Sequence, residues 1–560
     1  MHGLRKASSS ASVFFAVFGP CLVHALETQL PRARAPYRKR QCRAAHFSAT
    51  IVTCMKNLIV LSLVPVVVLC VCSLSLYYHY KVHDATFDVA VIQGHVSAST
   101  STLWIRNVNA VSFVILAKAK PKMQTPPQCM RAALESRTAA LRPPKPVEEE
   151  GEGAAAAADE EEMIRTAPMP LLEAEDFVAT VTLRSLRSST CYTYQVIFTS
   201  RVREANTSED SSATLSLPYS FFTAPHLHEA TPSISILFGS CISRTFFAPF
   251  DKLSIFSSIL ERHTPTFALL LGDIAYVDLH ESLSYLRSTL PRAFRNTWSD
   301  TSLATFSGLV PMYLQRDDHE VYNDHIGPLP NPSDWTRYVS SRHPPFVDIA
   351  TGEEDRSVLY YHFDYGSGVS VFVLDMRSHA SASPGTVLGA LQLSRLKAWL
   401  LSRPRNSLKI IAAPMMFTSV PSFAAPFEYA PQEKEALREL IATERLCGVV
   451  VLSGDTHWGG AYELMQGGGL PEFAASPFQA LPFPGVPFFG GRGNEEGESK
   501  LFFSSWGFHY GIMKVEATQT EGLQISAEIY KFWPWDEGGR LVFEHKMKVA
   551  EMCPGAQVLK

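Results

Sequence analysis

The sequence predicts an α/β fold. A layered α/β-β/α sandwich is preceded by a small all-β sandwich domain, and a single N-terminal transmembrane or signal segment stands ahead of both. Three observations carry this. Between Ile234 and about Phe543, short buried strand-like runs alternate with helix-like runs. Between Phe87 and about Ala224, period-two runs are separated by turn residues. Ahead of these, Leu58 to Leu76 is an almost unbroken run of Leu, Val, Ile, Cys and Ser.

A chain of 560 residues is too long for one small domain. The composition is globular, 46% hydrophobic and 19% charged, and the net charge of -4 comes without a basic aromatic-laced patch. Nucleic acid is therefore not an expected partner.

Residues 1–56 are rich in Arg, Ala and Ser, and read as a basic tail, a targeting segment or an over-extended gene start, since Met55-Lys56-Asn57 makes an ordinary beginning. Residues 57–80 read as a transmembrane helix or a signal anchor. The apolar core of about 19 residues is long enough to cross a bilayer. Arg38, Lys39, Arg40, Arg43 and Lys56 precede it, and Tyr77, Tyr78 and Tyr80 follow it. That asymmetry puts the positive flank in the cytosol and the rest of the chain on the lumenal or outer side. Cleavage as a signal peptide would instead release a secreted protein.

Residues 85–225 read as the β-sandwich domain. Phe87 to Gln93 alternates up to Gly94, Thr102 to Arg106 carries Leu103-Trp104, and Phe177 to Leu183 alternates again. Cys191 to Val196 and Ser220 to Thr223 complete the set. Within the domain, residues 142–162 are Pro-rich, then acidic and Ala-rich, too polar to order themselves by burial. Asn206-Thr207-Ser208 is a glycosylation sequon on the side expected to be outside, which would make the chain a glycoprotein.

Residues 231–545 read as the large domain and 546–560 as a tail. Helix-like runs at Lys252 to Arg262, Leu388 to Ser402 and Gln432 to Arg445 interleave with buried strands. After Asp455 the runs near Phe502, Tyr510 to Val515 and Leu523 to Phe532 look antiparallel. Strand-like runs end in chemistry. Ile234 to Phe238 leads to Cys241, Thr266 to Leu271 to Asp273 and Tyr276, Val310 to Gln315 to Asp317-Asp318-His319-Glu320, and Gly448 to Leu452 to Asp455 and His457. Open α/β sheets bind ligands at the carboxyl ends of their strands. Several buried strands that each finish in metal-ligand side chains point to more than one metal ion. No Gly-x-Ser-x-Gly elbow and no P-loop is present.

Cys129, Cys191, Cys241, Cys447 and Cys553 follow the apolar span, and no CxxC pair occurs. With Cys241 as a ligand, four remain, enough for two disulfides or none. The sequence leaves open whether Cys129 pairs with Cys191.

The ordered motifs GSC ending at Cys241, GDIAY at Tyr276, DDHEVYND at Asp324, LDMRS at Ser378 and SGDTHWGG at Gly460 resemble those of the PhoD-like alkaline phosphatases and phosphodiesterases. These are calcineurin-like metallophosphoesterases, related to purple acid phosphatases. Gln93-Gly94 through Leu103-Trp104-Ile105-Arg106 is similar to the family's leading domain. The resemblance implies hydrolysis of phosphate monoesters or diesters by a metal-activated hydroxide, with a phosphate-ester substrate. It implies Fe3+ beside Cys241, Tyr276 and His457, with Asp273 bridging to Ca2+ held by Asp455, Asn323 and Asp318; Zn2+, Mn2+ or Mg2+ are alternatives. It makes His319 a phosphate contact or general acid rather than a ligand, against a purely structural bond to Asp317. Arg377 becomes a bidentate phosphate contact, against a surface ion pair. Two positions depart from the pattern: Arg316 stands where tryptophan is usual before the DDHE box, and Ser378-His379 where an arginine is usual. Those departures support one alternative, a catalytically silent membrane-anchored binding ectodomain; a second, a phosphodiesterase of phospholipid headgroups, is favoured by the expected membrane tether.

Overall fold

The computed structural model describes residues 89–554, apart from 122, 142–162, 202–210, 244–253, 279–287, 384, 419–429, 466–468, 481–497, 519–521 and 534–538. The expected membrane segment at 57–80, the acidic insertion and the sequon at Asn206 lie outside the described residues. Among the described residues, no helix is long and apolar enough to cross a membrane.

Two sheets form the large domain. In the first, Met312–Gln315, Phe267–Leu271 and Ile234–Gly239 run parallel, and Phe508–Thr518, Gly522–Phe532 and Arg540–Lys548 extend it antiparallel. In the second, Val369–Val373, Leu408–Ala413, Val449–Ser453 and Pro471–Ala475 are parallel neighbours in that order. Tyr361–Tyr365 edges the sheet on one side, and Gly459–Glu463 with Ser499–Ser504 on the other, all antiparallel.

The strands are apolar on both faces because both faces are covered. Ile236, Phe238, Leu269 and Leu271 of the first sheet pack against Val371, Ile410, Leu452 and Phe473 of the second. The alternate residues Leu237, Leu270 and Met312 point the other way, onto helices Ser254–His263, Leu290–Trp298 and Thr301–Leu309. Phe372, Ile411 and Val451 likewise meet helices Gly389–Ser402 and Pro431–Thr443. Period two along each strand therefore builds four layers, helix, sheet, sheet, helix, and sets all parallel strands ending toward one rim.

The leading domain departs from an all-β expectation. A sheet of Val89–Val96, Ser101–Asn107 and Val178–Leu183 packs on a second sheet centred on Ser112–Lys120 and Cys191–Arg201. Between them in sequence lies a helix, Pro126–Ala140. Its proline in the first turn, its alanines and Arg137 in the last turn are ordinary helix signals. Disulfide Cys129–Cys191 fastens this helix to the central strand. The domain docks on the large domain through buried polar contacts. Gln93 Nε2 donates to Gly308 O at 2.6 Å, Tyr194 OH to Gly308 O at 3.0 Å, and Trp104 Nε1 to Arg337 O at 2.8 Å. Gly308 is required there, because a Cβ would sit 2.2 Å from the Tyr219 ring.

A second disulfide, Cys447–Cys553, ties the chain end to the start of the central strand Val449–Ser453, beside the bond from Gly448 N to Met552 O at 2.9 Å. It closes a loop of 106 residues. Replacing Cys447 by serine is expected to lower unfolding free energy by about 2–4 kcal/mol, read from denaturant midpoints at constant m.

Candidate metal centre

The carboxyl ends of the parallel strands bring the predicted side chains together. Ile234–Gly239 delivers Cys241, and Phe267–Leu271 delivers Asp273 and, through the next turn, Tyr276. Met312–Gln315 delivers Asp317, Asp318 and His319. Val449–Ser453 delivers Asp455 and His457. Ligand atoms of Cys241, Asp273 and His457 lie within 4.8 Å of one another, as do those of Asp273, Asp318 and His319, and those of Asp273, Asp317, Asp318 and Asp455. Asp273 belongs to every one of these groups.

The backbone is bent to achieve this. Cys241, Asp273, Asp455 and His457 have φ of 64°, 55°, 67° and 58°, a left-handed region costing a non-glycine residue roughly 1–3 kcal/mol. Gly272 lets the turns approach, since a Cβ there would lie 2.5 Å from Asp317 Cβ. Such strain persists where the surroundings over-determine it. Here Glu320 does much of that, accepting from the backbone N–H of Ile274, Ala275, Asp273 and Asp317 at 2.6, 3.1, 3.2 and 2.8 Å.

At the sulfur end, Cys241 Sγ lies 3.5 Å from Asp273 Oδ2 and accepts from Ser476 Oγ at 3.2 Å. Tyr276 OH donates to Asp273 Oδ2 at 3.2 Å and stands 3.4 Å from His457 Nε2. Burial, then the neighbouring carboxylates Asp273 and Asp455, push the Cys241 thiol well up. Burial and Asp273 do the same to Tyr276. At the carboxylate end, burial raises Asp455 to about 6, with Asp318 adding to it and Arg377 opposing. Burial also raises Asp273 and Asp317.

The donor set fits metal ions. The buried Asp273, Asp317, Asp318 and Glu320 and the half-buried Asp455 crowd one locus against the cations Arg377 and His319. Asp317 Oδ2 is buried with no hydrogen-bond partner among the described residues. Unpaired buried carboxylates are costly, and bound cations reverse that cost. Thiolate, phenolate and imidazole at one end suit a transition metal, whereas the all-oxygen end suits a hard divalent ion.

Three predicted residues have defined side-chain partners. His319 Nδ1 bonds Asp278 Oδ1 at 2.7 Å, and not Asp317. Its ring stacks on Tyr276 at 4.3 Å between centroids. Burial disfavours its charge, yet Asp273 and the bond to Asp278 raise its pKa to about 10. Arg377 is buried, with Nε on Asp317 Oδ1 and Nη2 3.4 Å from Asp318 Oδ1, so it braces carboxylates. Asn323 is exposed, and its side-chain amide donates to Asp324 Oδ2 at 2.7 Å. In that rotamer it is turned to Asp324. Asp324 N, in turn, donates to Asp318 Oδ2.

Asp278 is a residue of the cluster that the sequence reading did not single out, and Asp317 and Glu320 entered it only as members of the strand-end run. Asp278 had a signal, a carboxylate two residues past Tyr276, and it also accepts from Asn323 N at 2.6 Å. Replacing Asp278 by asparagine leaves the fold but removes the anion that orients His319. We expect kcat to fall about 100-fold with KM little changed, in steady-state assays on an activated ester.

Residues 238–488 match the family model described as PhoD-like phosphatase. Among solved structures, the chain is similar to that of PhoD, with TM-score 0.57 and 17% identity over 82% of this chain and 90% of that one. At that identity the likeness establishes a shared fold. Two structures of a glycosyl hydrolase family 2 member from Bacteroides cellulosilyticus, one of them strain DSM 14838, give TM-scores of 0.19 and 0.18 at 8% identity. They cover 83% of this chain and 63% and 64% of theirs, and carry no argument. No curated protein matches the sequence.

Proposed function

With residues 238–488 identified as a PhoD-like phosphatase domain, a hydrolase of phosphoric esters, we propose that this chain cleaves phosphate monoesters or diesters at a cluster of metal ions on the non-cytosolic side of a membrane. The observation that carries the reading is the meeting of Cys241, Tyr276, His457, Asp318 and Asp455 around one shared carboxylate, Asp273.

Cys241, Tyr276 and His457 would hold Fe3+, and Asp318 and Asp455 with Asp317 would hold Ca2+ or another hard divalent ion, Asp273 bridging. Cations there would supply positive charge at the phosphoryl oxygens and a nucleophile at neutral pH. His319, oriented through Nδ1 by Asp278, keeps Nε2 for the ester. Placed beside Tyr276 and held by Asp278, it suits the role of proton donor to a leaving oxygen. Arg377 holds Asp317 and Asp318 in place. The silent-ectodomain reading draws no support from this site. Arg316 and His379 displace none of the clustered residues, and the buried Arg316 bonds Gly327 O instead.

The outer location is supported by two disulfides in a chain with a predicted leading apolar segment, since disulfides persist in oxidising compartments. A lipid headgroup is then an accessible substrate class. The test is turnover by the full-length chain, supplied with iron and calcium, on a chromogenic phosphodiester and the matching monoester. Hydrolysis that a chelator abolishes supports the reading, and the ratio of the two esters sets the substrate class. A folded, metal-loaded chain that turns over neither overturns it.

A further inference from the structure

We propose that Arg316 is a positioning residue, acting through Gly327 and Arg377 to set Asp317 and Asp318 for a divalent cation. The inference rests on the metal-dependent reading above.

Arg316 follows the strand Met312–Gln315 and is fully buried. Its Nη2 donates to Gly327 O at 3.0 Å and lies 3.3 Å from His325 Nδ1. Gly327 N donates to Arg377 O at 2.8 Å. Arg377 N donates to Asp375 Oδ1 at 3.1 Å, and its side chain grips Asp317 and Asp318. Asp317 is the next residue after Arg316, so these links close a ring. Strand end, Gly327, Arg377 and carboxylate fix one another.

The direction of the bonds matters. Arg316 lies among Asp375, Glu320 and Asp317, yet the bonds it makes go to a carbonyl and an imidazole. Its charge offsets the repulsion among those acids without occupying their oxygens. Asp317 Oδ2 is thereby left without a hydrogen bond and available as a ligand atom. Without Arg316, the segment His325–Gly327 loses its tie to the strand. The backbone of Arg377 and the carboxylates it braces lose their reference with it. Outer groups that orient metal ligands are worth about 10–100-fold in metal affinity when removed.

The experiment compares full-length wild type with Arg316→Met, Arg316→Lys, Arg377→Met and the Met/Met double variant. Unfolding temperature is followed against added Ca2+ alone, and the half-effect concentration is read. We expect Arg316→Met to raise that concentration about tenfold or more, with iron content unchanged. Arg316→Lys should recover part of the loss, and in the Arg377→Met background the second change should add little. An unchanged half-effect concentration in Arg316→Met, or full additivity in the double variant, overturns the inference. Where Arg316→Met does not fold, Arg316→Lys decides, and a midpoint equal to wild type overturns it. A wild type that responds to Ca2+ but hydrolyses no ester removes the catalytic reading and leaves this one standing. A wild type with no Ca2+ response overturns this inference alone, and the ester assay then decides the catalytic reading.

Discussion

Asp273→Asn is expected to abolish turnover while leaving the metal-free protein as stable as wild type or more so. Asp273 is shared by every group of ligand atoms at the rim, and its Oδ2 lies between Cys241 Sγ at 3.5 Å and Tyr276 OH at 3.2 Å. An amide keeps the size of the side chain and the acceptor for His319 N, but loses the negative charge that two cations would share. The loss should be roughly a thousandfold or more in kcat/KM, about 4 kcal/mol of transition-state stabilisation. The stability effect has the opposite sign. Burial raises the Asp273 pKa; His319 opposes this, and Asp318, Asp317 and Glu320 add to it. In chelator, removing that charge relieves repulsion. Steady-state kinetics on a chromogenic diester, with calorimetry of both proteins in chelator, decide the matter. Retention of more than about a tenth of the activity would remove Asp273 from the bridging role, because a bridging ligand carries charge stabilisation at both ions.

The same residues show what a sequence can and cannot reveal. Cys241, Asp273, Asp455 and His457 are legible because each follows a short apolar run, and buried parallel strands end at one rim whatever their packing. The layered core is legible for the same reason, as Ile236 and Leu237 both read as buried and the structure sends them to opposite faces. What cannot be read is which partner a polar side chain finds. Arg377 ends a strand, and nothing local says that its guanidinium turns onto Asp317 and Asp318 rather than outward. Asn323 has a ligand's side chain, and nothing local says that its Nδ2 donates to its neighbour Asp324. His319 chooses Asp278, 41 residues away in the chain, over Asp317, two residues away. The helix Pro126–Ala140 carries its start and stop signals in plain view, yet it stands inside a run of strands, where period two dominates the reading.

Glu320→Ala should cost more stability than any other single change at the rim. The carboxylate is buried, and its two oxygens accept from four backbone N–H groups, those of Asp273, Ile274, Ala275 and Asp317. These belong to two different turns, the one after Phe267–Leu271 and the one after Met312–Gln315. Glu320 is therefore the staple that holds the Asp273 turn against the Asp317-Asp318 turn. Burial raises its pKa, and the backbone bonds pull it back, which is how the site keeps an anion-sized acceptor without exposing it. Alanine leaves four donors buried without a partner. Each orphaned group costs about 1–3 kcal/mol, so the sum is about 4 kcal/mol or more even after partial hydration. Against a native stability of roughly 5–15 kcal/mol, that threatens the folded state itself. Glutamine separates the two contributions. It keeps the volume and one acceptor oxygen, but its amide presents donors to two of the N–H groups, so it should fall between wild type and alanine. Denaturant unfolding of the three proteins in chelator gives the stability order, and metal content after reconstitution gives the consequence for the site. Should alanine unfold at the wild-type midpoint, the turns are held by their other contacts. The left-handed backbone at Asp273, φ 55°, would then need a different cause.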